Sequence, residues 1–149
     1  MSSIATYTSA QSVSRSSGRG HFAKIGLATV AAAVLANVVF YYLGSAFVTY
    51  DPEFLVLSNV SGAVIFTAFF AIAAVAVYAG LVRFTGNPVR YFTVIAAVFL
   101  VVSIVPDYTY ILDQDGATFG QATILALMHV VAAAVIVPML TTLAHPSKR

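Results

Sequence analysis

The chain has no cysteine and no tryptophan. Without cysteine there can be no disulfide, thiolate metal ligand, thiol redox chemistry or cysteine-linked lipid, and the redox compartment is left open. Charge is scarce as well. Charged residues make up 8% of the 149 positions while 60% are hydrophobic, against about 25% charged in soluble domains. With a mean hydropathy of +0.95, water is the wrong solvent for most of the molecule. Catalytic signatures are missing too: no phosphate-cradling glycine loop, no cluster of metal ligands, and no nucleophile motif around Ser103 or His129. His21 and His145 fall outside the apolar runs, so a haem held by paired histidines finds no second ligand at depth. The sequence therefore predicts no catalytic residue, no cofactor and no metal site.

What is present is apolar sequence in four long runs, at about 25–48, 60–82, 91–112 and 119–143. A run of 24 residues reaches ~36 Å as a helix, enough to cross a bilayer core of ~30 Å. The connections are short and carry turn chemistry: Asp51-Pro52-Glu53, Gly86-Asn87-Pro88 and Asp113-Gln114-Asp115-Gly116. One domain is expected, an all-α membrane protein built as a four-transmembrane-helix bundle. Ahead of it, residues 1–24 are rich in serine and basic residues without an acid, and read as a disordered tail; a targeting segment has the same composition. Residues 145–149 form a short basic tail.

The few charges are sorted by side. Arg15, Arg19, Lys24, Arg83, Arg90, Lys148 and Arg149 share one side of the four runs, and Asp51, Glu53, Asp107, Asp113 and Asp115 share the other. Lysine and arginine near span ends stay on the cytoplasmic face, so both termini are expected to be cytoplasmic. The net charge of +2 and pI near 9.0 then reflect topology, and no nucleic-acid partner is expected. Tyr41, Tyr42, Tyr50, Tyr108 and Tyr110 gather toward the outer interface, where amphipathic rings are favoured.

In lipid, helices associate through close packing over small residues and through interhelical hydrogen bonds. Read at a 3.5-residue period, the seams are Gly26, Val30, Ala33, Asn37, Phe40 and Gly44 on the first run, and Gly62, Phe66, Phe69, Ala73, Ala76 and Gly80 on the second. The third offers Ala96, Leu100, Ser103, Asp107 and Tyr110, and the fourth Ala122, Ala126, His129 and Ala133. Asn37, Asp107 and His129 thus form a candidate intramembrane polar cluster. Two readings stand side by side. The residues either hydrogen-bond across helices to set register, with Asp107 turned to outside water near the helix-disturbing Pro106, or they line a polar path for protons or a solute.

The basic Arg83–Arg90 hairpin, the stretch Ala126-Leu127-Met128-His129-Val130-Val131 and the following Val135-Ile136-Val137-Pro138 carry a likeness. Over about residues 25–143 the chain resembles the small prokaryotic membrane proteins grouped as domain of unknown function 6069. That resemblance implies four helices in a prokaryotic plasma membrane, and brings no activity, cofactor or catalytic residue. The function read from the sequence is a non-enzymatic, self-associating or accessory membrane subunit, with the lipid bilayer and a second copy or another membrane protein as partners. The alternative is a small proton- or solute-conducting component using Asp107, His129 and Asn37.

Overall fold

A computed structural model describes the backbone of residues 3–144 and the side chains of residues 20–144; the basic tail read at 145–149 lies outside the described residues. Four helices follow one another: α1 (Ser3–Ser45), α2 (Val60–Phe84), α3 (Pro88–Thr109) and α4 (Phe119–Pro138). A single 3₁₀ turn, Ile111–Asp113, extends α3, and a π turn, Met139–Leu143, extends α4. The stretches Gly20–Ser45, Val60–Phe84, Pro88–Asp113 and Phe119–Leu143 are each long and apolar enough to cross a membrane.

Local chemistry sets the helix starts. The Asn59 side chain accepts from the Ser61 amide at the start of α2, and Asn87 accepts from Arg90 with Pro88 in the first turn of α3. At α4, Thr118 and Gln121 form a reciprocal capping box. Helix α1 starts at Ser3 and so runs through most of the stretch 1–24 that composition read as a disordered tail. No proline occurs before Pro52, and extending a helix already nucleated by the span is far easier than starting one.

The two prolines within helices act differently from each other. Pro106 lies inside α3, yet the helix runs on to Thr109; its missing N–H removes one hydrogen bond near an end, and the next turn closes through the Tyr110 amide onto the Pro106 carbonyl at 3.0 Å. Pro138 ends the α-helical part of α4, after which the widened π turn begins.

In the bundle α1 packs against both α2 and α4, and α4 also packs against α3. Although α2 and α3 are consecutive, they meet sparsely, chiefly through the ring pairs Tyr78–Phe92 and Phe70–Phe99, at 5.1 and 5.7 Å between centroids. The expected seam of α1 is occupied as read: Gly26, Ala33, Asn37 and Gly44 are buried. The expected seam of α2 is not. Phe66, Phe69, Ala73 and Ala76 are exposed, and α2 instead buries the neighbouring stripe Ala63, Thr67, Ala71 and Tyr78. A run so rich in alanine and phenylalanine satisfies several stripes at once, and the partner decides which one is used.

At the acidic end the 46–59 loop folds back over the bundle. Phe54 and Leu57 are 1% exposed, the Tyr41 hydroxyl donates to the Leu57 carbonyl, and the Tyr50 hydroxyl donates to the Tyr41 carbonyl, each at 2.8 Å. Burial, with the neighbouring Tyr41 second, pushes the Tyr50 phenol above its ordinary 10.0. At the basic end a His21 Nε2 contact with the Leu143 carbonyl at 3.2 Å joins the first span to the last, so both span ends lie together.

Candidate functional site

The sparse α2–α3 contact leaves a cleft of about 520 Å³ between these helices. Phe92 and Val77 line it toward the basic end, Val56 and Leu57 of the folded loop line it toward the acidic end, and α4 forms its back. Its lips are Phe66, Phe69, Phe70 and Phe99, all exposed. The opening therefore faces sideways. Four of the lining positions belong to the α2 stripe that spacing read as a seam: Gly62, Phe66, Phe69 and Ala73. Ala96, Leu100, Ser103 and Asp107 of α3 and His129 and Ala133 of α4 line it too. Faces expected to close on one another thus surround an open space.

All three residues of the candidate polar cluster line this cleft, but they are not joined into one network. Asp107 Oδ2 and His129 Nδ1 are 3.2 Å apart. The Asp107 residue is 4% exposed, which corrects the reading that turned it to outside water. Helix α3 continues through Pro106 and directs the carboxylate toward α4. The His129 side chain is 34% exposed.

His129 Nδ1 also lies 2.9 Å from the Leu125 carbonyl, one turn back on α4. A carbonyl and a carboxylate both accept, so Nδ1 carries the proton. Its N–H is aligned with the Leu125 carbonyl, and Asp107 Oδ2 is buried without a hydrogen-bond donor despite the short contact. The ion-pair distance and the missing hydrogen bond are compatible, because distance alone does not make an aligned bond. A small rotation of the ring would transfer the N–H from the carbonyl to the carboxylate.

Asn37 takes a different partner. Its Nδ2 donates to Thr67 Oγ1 at 2.8 Å, tying α1 to α2, while its Oδ1 is buried and unsatisfied. Thr67 escaped the sequence reading, although it is the only threonine in α2, and that isolation in an apolar run is a usable signal. Among the lining side chains Asp107 and His129 are the ionisable ones. No group of three or more His, Cys, Asp or Glu suited to a metal occurs among the described residues.

Four apolar helices of spanning length, with an ionisable pair inside, define a polytopic helical membrane protein. A family model described as a family of unknown function, DUF6069, matches residues 17–146, and the chain belongs to that family. Neither the comparison with curated proteins nor that with solved structures found a match.

Proposed function

We propose that the chain is a non-enzymatic, multi-pass protein of the plasma membrane that holds a lipophilic solute in the α2–α3 cleft and reads its polar end with Asp107 and His129. One observation carries this reading: an ionisable pair lines an apolar cleft whose lips open sideways rather than toward either end of the bundle. The volume, about 520 Å³, falls in the ~300–1,000 Å³ range of small-molecule sites. Walls of alanine and phenylalanine offer little to replace an ion's water. The solute-conducting alternative therefore narrows to a hydrophobic solute entering from the bilayer, with a proton-exchanging pair beside it.

The lack of tryptophan supplies the test. F99W, at the cleft lip, and V101W, on the exposed far side of α3, differ in depth by only ~3 Å and each gives a single reporter. In nanodiscs, a brominated dodecanol should quench F99W more strongly than V101W, and saturably. Equal, non-saturating quenching at both positions would sink the proposal.

A second reading is favoured by the exposed stripe Phe66, Phe69, Ala73 and Ala76, a surface that a second copy or another membrane protein would cover as a self-associating or accessory subunit does. In that case F69C forms a disulfide-linked oligomer in native membranes and the bromoalcohol leaves F99W unquenched.

A further inference from the structure

We infer that the solute is a lipophilic amine, bound as its ammonium form by the Asp107 carboxylate; this deepens the cleft-binding reading and rests on it. The argument starts from unspent hydrogen-bonding capacity. Asp107 is 4% and Asn37 3% exposed, both line the cleft, and the buried oxygens Asp107 Oδ2 and Asn37 Oδ1 lack hydrogen-bond donors. Buried acceptors left without donors are uncommon in folded proteins, and what they require is an N–H or O–H brought from outside. The adjacent His129 can supply Asp107 only by turning its Nδ1–H away from the Leu125 carbonyl.

Charge narrows the ligand further. Asp107 is the one acidic residue of the lining, which holds no lysine or arginine. A cation is favoured, and an anionic amphiphile such as a fatty acid is repelled. The phenylalanines at the lips, Phe66, Phe69, Phe70 and Phe99, present ring faces that attract ammonium groups and apolar surface for a hydrocarbon tail. An inorganic cation is excluded on the same surface, because hard cations take six or more oxygen ligands and the cleft offers few. A protonated alkylamine satisfies each condition at once: its N–H groups donate, its charge neutralises the carboxylate, and its chain occupies the apolar part.

The test uses the full-length chain in nanodiscs with three brominated 12-carbon probes that share one tail: an amine, an alcohol and a carboxylic acid. Quenching of F99W is read relative to V101W, which removes differences in partition into the bilayer. The amine should saturate at roughly tenfold lower mole fraction than the alcohol, and the acid should bind weakest. In D107N, which keeps the side-chain shape, the amine should fall to the level of the alcohol. Saturable quenching by all three probes without the amine's advantage overturns the amine assignment and leaves the cleft reading intact. An advantage that survives D107N also overturns it, because the carboxylate is then not the recognising group. If no probe quenches F99W beyond V101W, the cleft reading itself fails and takes this inference with it.

Discussion

Asn37 and Thr67 exchange one hydrogen bond, from Nδ2 to Oγ1 at 2.8 Å, across the α1–α2 contact. Such bonds contribute about 0.6–2 kcal/mol in membranes. T67V keeps the shape of the side chain and leaves the buried carboxamide without its acceptor, so a loss of about 1 kcal/mol is expected, with T67S close to the parent. Reversible unfolding in mixed micelles measures it, and an unchanged T67V would show that the contact adds nothing to stability. The donor was legible as a lone carboxamide in an apolar run. Its acceptor was not, because a threonine on a helix commonly bonds its own backbone, as Thr29 does with the Ile25 carbonyl at 2.8 Å.

At the scale of elements, the acidic-end loops show how a connection becomes part of the core. Gly116 has φ 71°, and a Cβ built there would lie 2.9 Å from Asp51 Oδ1 and 3.0 Å from the Phe54 amide nitrogen. The left-handed conformation costs an L-residue ~1–2 kcal/mol, and the amide belongs to backbone that cannot simply rotate away. G116A should therefore lose about 2 kcal/mol or more, seen as faster hydrogen exchange at Phe54 and Leu57. G80A provides the contrast: nothing lies within 4 Å of its new methyl, so it should be neutral or gain up to ~1 kcal/mol from helix propensity. Equal effects at the two glycines would refute the interlocked-loop account. The turn chemistry around Asp51 and Gly116 was readable from composition, whereas the contact between the two turns depends on how α1 and α4 pair.

At the scale of the whole molecule, the segregation of charge is the feature with the widest consequence. Lys24, Arg83 and Arg90 lie toward one end of the bundle, and Asp51, Glu53, Asp113 and Asp115 toward the other. If the basic end is cytoplasmic, as proposed from this partition, D113C becomes the single cysteine of the chain and reacts with an impermeant maleimide on intact cells, while G86C reacts only after lysis. The opposite pattern would invert the orientation and place the cleft's folded-loop end inside. Either way the cleft stays open to the side, since the splay of α2 from α3 belongs to the bundle and not to its orientation.

The sequence by itself determined the solvent of this protein and the number of its helices. Those follow from run length, charge and one-dimensional spacing, which no tertiary contact can change. It also placed His129 on a face turned inward, and left Asp107 open between such a face and outside water. Only the tertiary structure decided that these two meet at 3.2 Å while Asn37 binds Thr67, and that α2 leaves its phenylalanine stripe unpaired. The physical reason is degeneracy. In a chain this rich in alanine, several faces of each helix can support close packing, so the choice rests on the joint arrangement of all four. That choice turned an expected helix–helix seam into an open cleft.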